Sequence, residues 1–357
     1  MEKAKTQDFW AKHKEKTLEA FKNEDASLPH RYVLVLTNLC NLRCSFCFQA
    51  RTRRQDAMTK EQWLNFIDQI PKGSRLTLTG GEPLVFKGFE EIFLKAVKKC
   101  YVNIISNGVL LNNKFIEMFT EEENMKVLSI SIDDIGNKSR EFKKDQWVKL
   151  INDIEIFNEV RKRKKSKICL DIKVVIMENN SNDIFEFNKF AHEKLKADTT
   201  SFSFLKGADI QHNDFEFEFE KIHEEYFADK YNNFEAIIKQ LGKIRDYNIA
   251  NNKFSFLHPN IFDLNSGSKK IDIEYINNKE HDKNFFKPCI APWGSVHVNV
   301  DGNLFPCMAI SMGNVKVKSL KEIVHGEIFK RFKRIIKDNG TVSACNRCGY
   351  LEPLKER

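Results

Sequence analysis

From Arg31 to Leu205 the chain repeats strand, loop and helix. Short apolar or β-branched runs lie at Tyr32–Thr37, Leu76–Leu78, Val102–Ser106, Val127–Asp133, Ile168–Met177 and Thr200–Leu205. Between them run helical patterns at Lys60–Gln69, Phe89–Cys100, Asn113–Phe119, Gln146–Arg163 and Asn182–Leu195. This alternation predicts a parallel sheet with crossover helices. Six strands fall short of the eight that close a barrel. The expected fold is therefore α/β, an open partial (β/α)6 barrel. In such sheets functional residues gather at the carboxyl ends of the strands.

The first strand runs into Thr37-Asn38-Leu39-Cys40-Asn41-Leu42-Arg43-Cys44-Ser45-Phe46-Cys47. Short-spaced thiolates of this kind hold iron–sulfur clusters. Three of them can ligate three irons of a cubane and leave the fourth open to bind something else. A closed structural zinc site wants four ligands, and the nearest histidine, His30, lies ten residues upstream. Thr79-Gly80-Gly81-Glu82-Pro83 follows the second strand. The CxxxCxxC run, with an aromatic before its last cysteine, and the GGEP turn in this order resemble the radical S-adenosylmethionine (SAM) superfamily.

A second set, Cys289, Cys307, Cys345 and Cys348, lies near the C-terminus. Val296, Val298 and Val300 alternate toward Asp301-Gly302, a hairpin signal that brings Cys289 and Cys307 near each other. Four thiolates suit one fully ligated 4Fe–4S cluster or one zinc ion; the first motif favours iron–sulfur. The spacing resembles a twitch domain, the shorter relative of the SPASM domain. The chain ends nine residues after Cys348, so one auxiliary cluster is expected where a SPASM domain would hold two. Cys100 and Cys169 read as small buried apolar residues.

The remaining composition narrows the class. No apolar run is long enough for a bilayer, and the charged N-terminus lacks a signal-peptide core, so a cytoplasmic enzyme is expected. The net charge is +8, with lysines spread along the chain. Its one dense run, Arg161–Lys165, lacks interleaved aromatics and reads as a solvated loop rather than a nucleic-acid footprint. The expected organisation is an N-terminal helical extension (1–30), the barrel (31–210), a helical connector (211–285) and an auxiliary-cluster domain (286–357). Within the connector, aromatics from Phe215 to Phe234 suggest packing on the barrel, and Asn251–Lys287 reads as irregular.

The resemblance implies further roles. Cys40, Cys44 and Cys47 would hold the SAM-binding cluster. Gly80 and Gly81 would let backbone approach the methionine amine, and Glu82 would help hold it. Phe46 and Leu205 would lie by adenine. Ser106 and Asn107 would contact SAM, Ser131 and Asp133 the ribose side, and Lys173 the carboxylate. Gly81→Val is then expected to weaken SAM binding and spare the iron, since the cysteines lie on another loop. The implied activity is reductive cleavage of SAM to a 5′-deoxyadenosyl radical that abstracts hydrogen from a polar small molecule such as a sugar or cyclitol. The alternative is maturation of a ribosomal peptide, and a more distant one is a non-catalytic iron-responsive protein. A flavodoxin or ferredoxin would serve as reductant.

Overall fold

The computed structural model describes residues 2–24, 27–47, 56–205, 231–266, 286–307, 310–342, 345 and 347–354, with side chains of the first helix described from Lys12. In chain order the elements are α1 (Glu2–Lys22), β1 (Arg31–Val35), α2 (Lys60–Gln69), β2 (Arg75–Thr79), α3 (Phe89–Lys99), β3 (Tyr101–Ser106), α4 (Asn113–Glu121), β4 (Met125–Ser131), α5 (Lys144–Arg163) and β5 (Cys169–Ile176). They continue with α6 (Ile184–Glu193), β6 (Thr199–Phe204), α7 (Phe234–Asn251), β7 (Ser255–His258), α8 (Ala291–Gly294), β8 (Ser295–Val298), β9 (Leu304–Phe305), α9 (Leu320–Val324) and α10 (Glu327–Asn339). The aromatic stretch expected at 215–230 lies outside the described residues.

Among the described residues one sheet holds every strand, in the order β7-β6-β5-β4-β3-β2-β1-β8-β9. All neighbours are parallel except the antiparallel pair β8–β9. The six expected strands are present, and three more extend the sheet. β7 pairs with β6 inside the region read as irregular, and β8 pairs with β1 as well as with β9. The C-terminal hairpin is thus part of the barrel sheet. Its turn places Gly302 at φ +89°, where glycine is favoured.

Strand periodicity decides what faces where. Leu34, Leu78, Ile104, Leu128 and Leu170 form one in-register row across five strands, all fully or nearly fully buried. They belong to the core that also takes Trp63, Phe66 and Ile67 of α2 and Phe89, Ile92 and Phe93 of α3. Burying a side chain of this size contributes about 1.5–3 kcal/mol. The alternate positions are polar. Ser129, Asp171 and Thr199 make one row, and Ser131, Lys173, Ser201 and Phe256 make the next. Ser129 Oγ, Thr199 Oγ1 and Ser201 Oγ all donate to the Asp171 carboxylate, at 2.7–2.9 Å. The sheet therefore has an apolar face toward the helices and a polar face inside the barrel. Among the described residues no helix is long and apolar enough to cross a membrane.

Candidate active site

The loop after β1 and the loop after β2 are built against each other. Gly81 N donates to Thr37 O at 2.6 Å and Glu82 N to Leu39 O at 2.9 Å. A Cβ on Gly80 would fall 2.5 Å from Thr37 O, and one on Gly81 2.4 Å from Leu39 O. The glycines thus answer to the backbone of the cysteine loop, whose next residue is Cys40. This corrects the expected behaviour of Gly81→Val, because the bulk would press on the loop that carries the thiols.

The cysteine loop is also held from the strand ends. Leu42 N donates to Cys40 Sγ at 3.4 Å, and Asn107 Nδ2 lies 3.6 Å from the same sulfur. Asn107 Nδ2 also donates to Asn41 Oδ1 at 2.8 Å. Glu82 is fully buried. Its carboxylate accepts from Leu84 N at 3.1 Å, Ser106 Oγ at 2.9 Å and Asn107 N at 2.7 Å. Burial pushes the Glu82 carboxyl up to about 7, and these donors oppose the rise. Its observed contacts make Glu82 a tie between the GGEP turn and the end of β3.

Arg140, not singled out in the sequence, joins β4 to the cysteine loop. It ends the short 3-10 turn Lys138–Arg140. Its Nε lies 2.7 Å from Asp133 Oδ2, and its guanidinium carbon 5.3 Å from the Phe46 ring centroid. Cys44 Sγ lies 3.9 Å from Arg140 O. Asp133 is fully buried and also accepts from Val175 N at 2.7 Å. It is therefore a paired, enclosed carboxylate rather than an open one. Desolvation raises the Cys40 and Cys44 thiols, while the positive charge of Arg140 draws Cys44 back down. Ser131 lies on the inner row beside Lys173, and Lys173 Nζ stands 3.7 Å from Asp171 Oδ2.

The C-terminal set converges by a different route. Cys289 N donates to Gly340 O at 2.8 Å, Cys345 N to Val342 O at 2.8 Å, and Cys348 N to Cys345 O at 2.9 Å. Val342 N donates to Cys345 Sγ at 3.4 Å. Burial, then the neighbouring thiols of Cys345, Cys348 and Cys307, push Cys289 well above its ordinary range. The segment then lies across the opening between β7 and β8. Arg347 Nη1 donates to Leu205 O at 2.8 Å, and its guanidinium rests 4.7 Å from the Tyr231 ring centroid. A Cβ on Gly349 would sit 3.5 Å from His258 Cβ. Tyr350 Oη donates to Ser295 Oγ at 2.9 Å, beside Arg31. Leu205 is therefore where the auxiliary segment meets the end of β6. His258 ends β7, and burial, helped by Lys173, lowers its imidazole to about 4.

Both sets fit iron–sulfur ligation chemically. Neighbouring thiols help to raise Cys40 and Cys44 in the first set and Cys289 in the second, all seven are buried or half-buried, and sulfurs accept N–H bonds in each set. Among the described residues, no three His, Cys, Asp or Glu side chains gather tightly enough to hold a single metal ion. A cubane takes one thiolate per iron, so its ligands stand further apart than those of one zinc ion.

The Radical SAM superfamily profile matches residues 34–191, and the SPASM iron-sulfur cluster-binding domain profile matches 289–349. The chain carries a radical SAM domain and a C-terminal SPASM domain. The cofactors that follow are a SAM-binding 4Fe–4S cluster, an auxiliary cluster and SAM itself. The chain is similar to the sporulation killing factor maturation protein SkfB of Bacillus subtilis (strain 168), 29% identical over 164 residues, 45% of this chain and 39% of SkfB. It is also similar to GTP 3',8-cyclase of Clostridium perfringens (strain SM101 / Type A), 26% identical over 169 residues, 44% of this chain and 50% of the cyclase. These matches span about two fifths to one half of the relatives' length. Among solved structures, SuiB of Streptococcus suis bound to SAM aligns with a TM-score of 0.62 and 16% identity, over 90% of this chain and 71% of SuiB. SuiB has also been solved bound to its precursor peptide SuiA. At that identity the likeness is one of fold.

Proposed function

We propose that this radical SAM enzyme matures a ribosomally made peptide by oxidising it at an unactivated C–H. The role of SkfB as a maturation protein and the peptide held by SuiB support the peptide class. The sugar or cyclitol expected from the sequence gives way to this alternative. In our reading Cys40, Cys44 and Cys47 hold the SAM-binding cluster, and Cys289, Cys307, Cys345 and Cys348 hold the auxiliary one. When bound, the first cluster and SAM supply a hydrogen-abstracting radical. Glu82, Asn107 and Arg140 position the loop that carries the first three thiols. Ser106, Ser131, Asp133, Lys173, Phe46 and Leu205 remain assigned to the SAM-facing end of the barrel.

The observation that carries an oxidative outcome is the position of Arg347–Tyr350. This segment contains Cys348, starts two residues after Cys345 and lines the barrel opening between His258 and Ser295. An electron acceptor in that wall is adjacent to the polar interior where substrate would lie. The test is co-expression with each short open reading frame beside the gene, followed by peptide mass spectrometry. A mass loss of two hydrogens per modified site, absent in a Cys40→Ala/Cys44→Ala/Cys47→Ala variant, is expected. Unmodified peptides, together with conversion of a sugar or nucleotide by the reconstituted enzyme, would overturn the reading.

A further inference from the structure

Residues 316–338 hold eight Lys or Arg against three Asp or Glu, so this stretch carries five of the chain's eight net positive charges. Most of the stretch is α10. Its Phe329, Phe332 and Ile336 are buried, while Lys330, Arg331, Arg334 and Lys337 are exposed at spacings that fall on one helix side. The other basic run behaves differently. Arg161 pairs with Asp198, Arg163 with Glu117, and Lys164 with Glu117 and Glu121. Three acidic residues thus answer three of the five basic residues of that run. On α10, Lys330 pairs with Glu327 of the same helix and Lys337 with Glu24. Those pairs are exposed and worth little, and the net charge of the face stays positive.

The position of α10 suggests what this face meets. Its closing residue Gly340 accepts the bond from Cys289 N, and the chain runs on through Val342 to Cys345. Lys333 Nζ lies 5.6 Å from the ring centroid of Trp293, four residues after Cys289. The basic face is thus carried by the helix that abuts the C-terminal cysteine set. We propose that the outer face of α10 docks an acidic one-electron carrier protein, which exchanges single electrons with the auxiliary site. The inference rests on the reading that this set holds an iron–sulfur cluster. The reduced carrier gives one electron to the oxidised cluster, and the oxidised carrier takes back the electron that substrate oxidation leaves there, with no bond made or broken. Opposite charge favours an acidic partner, the direct bond between the end of α10 and Cys289 favours one that exchanges electrons, and single-stranded nucleic acid is held largely by exposed aromatics.

The test uses cluster-loaded enzyme and an acidic flavodoxin in its hydroquinone form, mixed by stopped flow at low and moderate salt. Lys330→Glu/Arg334→Glu should slow cluster reduction at least tenfold at low salt and flatten its salt dependence. Iron content and reduction by dithionite should match the parent, and Lys162→Glu/Lys165→Glu on the other run should react normally. Equal flavodoxin rates in parent and α10 variant would overturn the proposal, as would equal slowing by the control variant. Loss of oligonucleotide or acidic-peptide binding with flavodoxin rates unchanged would assign the face to that other partner and overturn it too. A parent protein without iron in the C-terminal set would instead overturn the underlying reading, and iron analysis of the parent separates the two failures.

Discussion

Cys40, Cys44 and Cys47 ride one short loop, whereas Cys289, Cys307, Cys345 and Cys348 are gathered from sixty residues of chain. The first loop is fixed by main-chain bonds to a neighbouring turn, with Gly80 and Gly81 giving the clearance. The second is fixed by burial, by the carbonyl that closes α10, and by side chains reaching β6, β7 and β8. A local site needs only two adjacent βα turns to form. A dispersed site needs the whole barrel, because loop closure and ordering must be met before its contacts form. Local and dispersed sites should therefore respond differently to the same kind of damage.

The largest effect is expected at the contact between the two turns. Gly81→Val drives side-chain carbons into Leu39 O and Asn38 O. Anaerobically reconstituted protein should drop from about eight irons to about four, and SAM binding should vanish. Iron analysis and a SAM titration by electron paramagnetic resonance check this. Full iron with weakened SAM binding would restore the simpler view that the glycines serve SAM alone.

Each loop is also held by an arginine, half-buried at Arg140 and buried at Arg347, and the two should differ in cost. Arg140→Met leaves the fully buried Asp133 carboxylate without its cation. Losing one partner of a buried pair should cost about 3–5 kcal/mol in denaturant unfolding of the apoprotein, and adding Asp133→Asn should recover part of it. Arg347→Met removes a bond to a neutral carbonyl and a contact with a ring, and strands no buried carboxylate at either of them. It should cost less, about 1.5–3 kcal/mol. Equal costs would mean that the Asp133–Arg140 pair is not the anchor of the first loop.

The sequence was most readable where structure is local. The six strands and five intervening helices fall near their expected places because strand and helix periodicities are short-range signals. Both cysteine sets were legible from spacing. β7 was missed because Ser255-Phe256-Leu257-His258 is too short to show alternation, and its place is set by pairing with β6. The joining of β8 to β1 was equally hidden, since register between strands more than two hundred and fifty residues apart leaves no local mark. The glycine turn was read as a close-approach site, but its observed neighbour is protein backbone. Arg140 and His258 carry no motif; only the folded chain brings them to Cys44 and to the auxiliary segment. The basic face of α10 was masked by counting lysines along the chain instead of along a helix side.

The central claim is that the two cysteine sets hold separate clusters with separate tasks. Cys345→Ala/Cys348→Ala tests it, with iron content, fold and dithionite-driven 5′-deoxyadenosine formation measured on one anaerobic preparation. The account predicts a folded protein with about four irons instead of about eight, continued deoxyadenosine formation, and no modified peptide. A folded variant that keeps about eight irons, or that loses deoxyadenosine formation together with product, would contradict it.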